Sequence, residues 1–310
     1  MYNFLMYDFP PYRPPSEAHS ALLRVTRGCP WNHCTFCGMY KHDRYEMRTF
    51  DEINADVGMM GELFPLSRTV FVGDSDSLCH EEILKIVKLI RGKFPGLERI
   101  TSYARALTLV KKKPSELQAL NRAGLNRLHL GLESGDPQIL KQIRKGATPE
   151  IMIKGGKMAK KAGFELCYYV LCGIGGESRW KEHADGTARV INEVGPDFIR
   201  LRTLSLVSAA PLYQEWQSGT FQPITPISRL KETRRLIEKL KVKQCELASD
   251  HVTNYLWSPR GIVYHGVDGM LPKTRDHLLE TIDMAIENIR EREDILDANM
   301  MIQQGIIQRL

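Results

Sequence analysis

From Ala21 onward, short apolar, β-favouring runs alternate with longer stretches whose apolar positions recur at helical spacing. That alternation reads as strand–helix units around a parallel sheet. Strands are expected near Ala21–Thr26, Thr69–Val72, Arg99–Ala104, Arg127–Gly131, Glu165–Leu171 and Asp197–Thr203. Helices are expected near Phe50–Leu63, His80–Lys93, Pro114–Ala123, Pro137–Arg144 with Glu150–Lys161, and Lys181–Glu193, each bounded by Gly, Pro, Ser or Asp. Six such units make an α/β fold, either an open doubly wound sheet or a partial barrel. In both, ligands bind at the C-terminal ends of the strands.

The loops after those ends carry the unusual residues. They are Cys29, Cys34 and Cys37, then Gly73-Asp74-Ser75-Asp76, then Arg105, then Glu133-Ser134-Gly135, then Gly173-Ile174-Gly175-Gly176-Glu177. Residues 1–20 read as an N-terminal arm containing Pro10, Pro11, Pro14 and Pro15, and residues 21–204 as the barrel. Residues 205–310 read as a C-terminal helical extension, with long helices near Ser228–Lys241 and Thr274–Arg292. No Ser/Gly-rich linker precedes it, so it is expected to pack on the barrel.

Composition narrows the class. The 310 residues are 43% hydrophobic and 26% charged, which excludes disordered and collagenous chains and allows a sizeable core without disulfides. No run approaches the roughly eighteen apolar residues of a membrane span, and the opening residues lack a basic leader region. The expectation is a cytoplasmic protein with no membrane association. A formal net charge of +6, spread along the chain, is too mild to demand nucleic acid. Three of the seven cysteines fall between Cys29 and Cys37, a clustering that reads as metal ligation in a reducing compartment.

The cysteine loop is Gly28-Cys29-Pro30-Trp31-Asn32-His33-Cys34-Thr35-Phe36-Cys37-Gly38. Three thiolates can bind three irons of a [4Fe–4S] cluster and leave the fourth without a protein ligand. A zinc site is the alternative, since His33 lies inside the loop, but structural zinc takes two spaced ligand pairs and no second pair follows. A zinc-stabilised, non-enzymatic interaction protein is the corresponding functional alternative.

The loop resembles the signature of the radical S-adenosylmethionine (SAM) superfamily, and the resemblance runs through all six strand–helix units. It departs in having four residues, not the common three, between the first two cysteines. His129-Leu130-Gly131-Leu132-Glu133-Ser134-Gly135-Asp136 resembles the fourth-strand motif of the branch containing oxygen-independent coproporphyrinogen oxidases and methylthiotransferases. The resemblance implies a partial (β/α)6 TIM-like barrel. It also implies a [4Fe–4S] cluster on Cys29, Cys34 and Cys37, whose open iron chelates SAM, and reductive cleavage to a 5′-deoxyadenosyl radical that abstracts hydrogen from a substrate. An external electron donor, flavodoxin or ferredoxin, is implied with it.

The same resemblance implies the cofactor contacts. Phe36 stands where relatives contact the adenine, with loop packing as the alternative. Gly73, Asp74, Ser75 and Asp76 stand where relatives carry Gly-Gly-Glu and hold the SAM ammonium; either carboxylate can instead cap the helix starting near His80. Glu133 and Ser134 suit the cofactor hydroxyls or amino group. Ser102 and Arg105 end the third strand, where an arginine can pair with the methionine carboxylate. The turn through Cys172, Gly173 and Ile174 resembles the one whose backbone approaches the adenine. Arg200 and Arg202, two apart on the sixth strand, share one face and can meet the cofactor carboxylate, an acidic substrate or a structural carboxylate.

On the substrate side, Asp250 and His251 can provide proton transfer or can dock the C-terminal third on the barrel. Cys79, Cys167, Cys172 and Cys245 lack the close spacing of a second cluster and read as buried thiols, with Cys79 and Cys172 near strand ends. No broad basic surface with aromatic platforms is visible, so a small-molecule substrate is expected over RNA or a nucleobase. The reaction class on that substrate and the oligomeric state stay open.

Overall fold

The computed structural model describes residues 12–249 and 251–306. The chain divides into two compact units: Met1–Asn32, His42–Leu130 and Lys154–Leu166 form the first, and His33–Lys41, Gly131–Ile153 and Cys167–Leu310 the second.

The first unit opens with β1 (Ala21–Arg24) and a short antiparallel ribbon of β2 (Thr26–Arg27) and β3 (Glu46–Met47). It continues with α1 (Phe50–Leu63), β4 (Thr69–Gly73), α2 (Ile83–Lys93), β5 (Arg99–Ala104), α3 (Ala106–Lys111), α4 (Pro114–Arg122) and β6 (Leu125–Glu133), whose last three residues pass into the second unit. β1, β4, β5 and β6 pair in parallel, in the registers Ala21↔Val70, Val70↔Ile100 and Thr101↔Arg127. Val70, Phe71 and Val72 are all buried, the consecutive apolar run of a strand covered on both faces. α1 starts where Thr49 and Glu52 exchange side-chain and backbone hydrogen bonds, and it buries Ile53, Val57 and Met60 at helical spacing.

Next come α5 (Pro137–Gln142), then α6 (Pro149–Lys161) and β7 (Glu165–Cys172), each divided between the units. The rest of the second unit is α7 (Trp180–Val194), β8 (Phe198–Thr203), α8 (Pro211–Gln217), α9 (Pro226–Lys239), β9 (Cys245–Ala248), the hairpin β10 (Leu256–Ser258) and β11 (Gly261–Tyr264), β12 (Asp268–Leu271), α10 (Arg275–Ile289) and α11 (Ala298–Gln303). β7, β8 and β9 are parallel, and β12 closes on β9 antiparallel. α9 packs between α7 and α10.

The protein thus has an α/β fold built on mostly parallel strands, and all six expected strands are present. β9 and β12 are additions, in a third of the chain expected to be helical. Each has only four residues, too short to carry a readable period, and each is a strand by virtue of pairing with its neighbour. The helix expected from His80 starts three residues later. His80 is buried, its Nε2 donates to the Arg48 carbonyl at 2.8 Å, and its Nδ1 accepts from the Glu82 N–H.

In the N-terminal arm, the turn Pro15–Glu17 buries Glu17 completely. Its carboxylate accepts from the Ser20 hydroxyl at 2.6 Å and from Arg99 at 3.2 Å, and lies 3.7 Å from His129 Nε2. Burial raises its pKa, but the neighbouring His129, the hydrogen bond from Ser20 and the charge of Arg99 together outweigh that and bring it down to about 2. The ionised carboxylate therefore adds stability above its unfolded value of 4.5, and this contribution is lost as pH falls through about 2. Glu17→Ala is expected to cost roughly 2–3 kcal/mol in urea unfolding at neutral pH, discounted for the partly exposed Arg99. That difference should shrink on acidification; a loss below about 0.5 kcal/mol would contradict the assignment.

Candidate cofactor site

In the first unit, the backbone ahead of Cys29 is gripped by the turn after β4. Asp74, fully buried, takes the Gly28 N–H on Oδ2 at 3.0 Å and the Arg24 guanidinium on the same oxygen at 2.7 Å. The Ser75 hydroxyl donates to the Gly28 carbonyl at 3.1 Å. Burial pushes the Asp74 pKa up, opposed by Arg24 and the Gly28 N–H. Its other oxygen, Oδ1, has no hydrogen-bond partner among the described residues, so it is an acceptor suited to an ammonium donor.

Asp76, also buried, joins this turn to the start of α3: it accepts from the Arg105 N–H at 3.3 Å and the Thr108 hydroxyl at 2.5 Å. Burial pushes its pKa up to about 6. Neither aspartate caps a helix near His80. The Ser102 hydroxyl lies 3.0 Å from the Val72 carbonyl, and the Arg105 guanidinium sits 5.2 Å from the ring centroid of Trp31, inside the cysteine loop. Cys79 meets the Tyr45 hydroxyl at 2.9 Å and donates to the Asp76 carbonyl at 2.8 Å. Burial and the nearby Asp76 charge push its thiol up to about 11, which keeps it protonated and unreactive at neutral pH.

In the second unit, Thr35 fixes the stretch between Cys34 and Cys37: its N–H donates to the Ile143 carbonyl at 3.0 Å and its carbonyl accepts from the Leu212 N–H at 2.8 Å. Phe36 packs on an apolar cluster that includes Ile139, Ile143, Ile174 and Leu212. Lys145 links this ring to the end of β6, its Nζ lying 5.9 Å from the Phe36 centroid and 2.8 Å from the Glu133 carboxylate. Phe36, Glu133 and Ile174, three of the expected cofactor contacts, are thereby gathered around Lys145 and one apolar cluster.

The turn after β6 is clamped by α7. The Gly135 N–H donates to the Thr187 hydroxyl at 2.9 Å, and Ser134 Oγ lies 2.9 Å from His183 Nδ1. Gly186 permits this approach, since a Cβ there would stand 2.6 Å from the Gly135 carbonyl oxygen. Asp136 caps α5 through the Ile139 N–H and pairs with Arg179 at 3.0 Å. After β7, Gly173 adopts φ +81°, a conformation that favours glycine, and donates its N–H to Glu232 at 2.8 Å. Cys172 is buried, and burial pushes its thiol up to about 12.

Arg200 and Arg202 do share one face of β8, as alternate half-buried positions. Arg200 pairs with Glu246 at 2.7 Å, and the Arg202 guanidinium lies 5.5 Å from the Tyr169 centroid. His251 caps a short turn over Val252–Asn254, where Asn254 donates to the carbonyls of Leu201 and Ser249, so this segment docks on β8. Asp250 lies outside the described residues. Sequence reasoning passed over Lys145, His183 and Glu232; the only signal for the last two was a polar residue inside the apolar stripe of a helix.

Cys29 belongs to the first unit, and Cys34 and Cys37 to the second. Among the described residues no three His, Cys, Asp or Glu side chains are gathered as a ready metal site. The donor chemistry nevertheless fits an iron–sulfur group. These three thiols are half-exposed, whereas Cys167, Cys172 and Cys245 are buried, and soft thiolates are the ligands such clusters take. Two open grooves of about 400 and 360 Å³ are lined by charged residues already paired as Arg292–Asp294 and Arg127–Glu165, and they gather no comparable chemistry.

Residues 23–185, more than half of the chain, match the Radical SAM superfamily. The chain belongs to that superfamily, an enzyme class that uses a [4Fe–4S] cluster and SAM, and its α/β fold is the partial-barrel type of its structural neighbours. It is 24% identical over 233 residues to an uncharacterized methyltransferase of Pyrococcus horikoshii, covering 71% of this chain and 49% of that protein. It is 26% identical over 109 residues to the tRNA uridine(34) acetyltransferase of Methanocaldococcus infernus, covering 35% of this chain and 20% of that one. The chain thus spans half or less of the curated relatives it matches. The coproporphyrinogen III oxidase of Escherichia coli, a radical SAM enzyme, shares the fold with a TM-score of 0.53 at 17% identity, over 71% of this chain and 52% of that chain. No helix among the described residues is long and apolar enough to cross a membrane.

The clamp on the β6 turn is testable by size. Gly186→Ala is expected to destabilise by about 1–3 kcal/mol, because backbone must move to admit the methyl group. Gly58→Ala in α1, where a Cβ meets nothing within 4 Å, should instead stabilise by about 0.5–1 kcal/mol. Equal unfolding midpoints for the two variants in urea would contradict the packing.

Proposed function

We propose that Cys29, Cys34 and Cys37 ligate the cluster and that the protein generates a substrate radical by hydrogen abstraction from a small molecule. When bound, the cluster and SAM supply reductive cleavage of the sulfonium to a 5′-deoxyadenosyl radical. The cysteine loop carries this reading, with its three half-exposed thiols and backbone ties on either side of the spacing. Asp74 and Ser75 position the loop through Gly28, and the open Asp74 Oδ1 accepts the SAM amino group. Phe36 and Ile174 receive the adenine, Glu133 with Lys145 the polar cofactor groups, and Arg105 the methionine carboxylate. Arg202 over Tyr169 offers a cationic, aromatic-backed surface to a carboxylate-bearing substrate. The residues around the cofactor exclude water from a radical that would otherwise attack solvent or protein. Flavodoxin or ferredoxin supplies the electron, and the setting is the cytoplasm.

A second reading, modification of tRNA, is favoured by the similarity to the tRNA uridine(34) acetyltransferase of Methanocaldococcus infernus. It predicts tRNA binding that weakens steeply with salt as phosphate contacts are screened. A small-molecule enzyme shows no such binding.

After anaerobic reconstitution with iron, sulfide and dithionite, wild-type protein is expected to convert SAM to 5′-deoxyadenosine. Single Cys→Ala changes at 29, 34 or 37 should lower that product by about a hundredfold or more, since each removes a ligand. Cys79→Ala should retain it. Product formation by the triple variant would refute the ligand assignment.

A further inference from the structure

Two fully buried titratable side chains take no part in the reading above. Glu232 on α9 and His183 on α7 each have no solvent exposure. Glu232 Oε2 accepts the Gly173 N–H at 2.8 Å, while its Oε1 faces His183 Nε2 at 3.9 Å. Neither of those facing atoms has a hydrogen-bond partner among the described residues. On its far side, His183 Nδ1 lies 2.9 Å from Ser134 Oγ, which also accepts the Asp136 N–H at 3.1 Å. One line of groups therefore runs from the turn after β7 to the turn after β6.

We propose that Glu232 and His183 are positioning residues that hold the Gly173 and Ser134 turns in the arrangement that receives SAM. This rests on the assignment of those turns to the cofactor. Counting protons shows why the couple works when neutral. A proton on Glu232 Oε1 faces His183 Nε2 across 3.9 Å, beyond direct hydrogen-bond length, the His183 Nδ1–H donates to Ser134 Oγ, and Oε2 remains free to accept from Gly173. With both groups neutral, no net charge is buried in the line.

Burial favours the same state, raising the Glu232 pKa to about 8 and lowering that of His183 to about 4. The surrounding charges are few. Arg229 on α9 lowers the Glu232 value and Glu177, after β7, raises it; Cys172 on β7 also faces Glu232, and Asp136 before α5 faces His183. Glu232 therefore adds stability that is complete below its unfolded value of 4.5 and is lost as pH rises through about 8. His183 adds stability that is complete above 6.5 and is lost as pH falls through about 4. Above about pH 8 an ionised carboxylate sits buried between the turns, with the Gly173 N–H and Arg229 to offset its burial.

The test uses the reconstituted full chain and two variants. Glu232→Gln keeps an acceptor for Gly173 and a donor for His183 but cannot ionise; Glu232→Leu removes both. Two readouts are followed from about pH 6 to about pH 10: the protection factors for amide hydrogen exchange at Gly173 and Asp136 in cofactor-free protein, with the base-catalysed rise of intrinsic exchange divided out, and the SAM dissociation constant. In wild type, protection should fall and the dissociation constant rise about tenfold above pH 8, one pKa unit of coupling. Glu232→Gln should match wild type at neutral pH and stay flat above it. Glu232→Leu should exchange faster and bind at least about tenfold more weakly at every pH, with iron content retained.

Wild-type exchange at Gly173 in the Leu variant, or the wild-type alkaline loss in the Gln variant, would overturn the positioning role. Exchange behaving as expected without any SAM dependence would uphold the couple and sink the cofactor assignment of the turns, so the two failures are distinguishable.

Discussion

A thiolate loop can serve as a ligand set only if it is prevented from collapsing, and hydrogen bonds from buried groups supply that restraint. Asp74 shares one oxygen between Arg24 and the N–H of Gly28, the residue before Cys29. Thr35 is held by its own backbone between Ile143 and Leu212. A buried carboxylate tied in this way is costly to displace, because both the charge and its donors would be left unpaired. The loop is thus set by atoms that need not touch the cofactor at all.

The same economy recurs at the strand-end turns of the second unit. Gly186 lets α7 approach Gly135, Thr187 takes the Gly135 N–H, and Asp136 serves α5 and Arg179 together. Glu133 is freed from bracing the backbone and turns back to Lys145, beside the ring of Phe36. Glu133 and Lys145, the polar side chains beside the apolar cluster, therefore pair with each other, while the turns under them are fixed from the helix side.

Much of this was legible in the sequence for a physical reason. A parallel strand buried on both faces reads as a continuous apolar run, so Val70-Phe71-Val72 announced itself, and the strand expected at Arg99–Ala104 occupies those residues. The cysteine spacing and Glu133-Ser134-Gly135 stood out by residue type. Pairings between distant segments were not legible: Arg24 with Asp74 is fifty residues apart and Gly173 with Glu232 fifty-nine. β9 and β12 exist through their neighbours, and His80 left its expected helix to tie down Arg48. His183 and Glu232 looked like lapses in an apolar stripe until burial showed them facing one another.

The proposed assignment leaves one iron of the cluster without a protein ligand, and electron paramagnetic resonance addresses that directly. Dithionite-reduced, anaerobically reconstituted protein should show the signal of a reduced [4Fe–4S] cluster, and adding SAM should change its shape as the cofactor binds the open iron. A cluster signal unaltered by saturating SAM, or no cluster signal at all, would contradict the account.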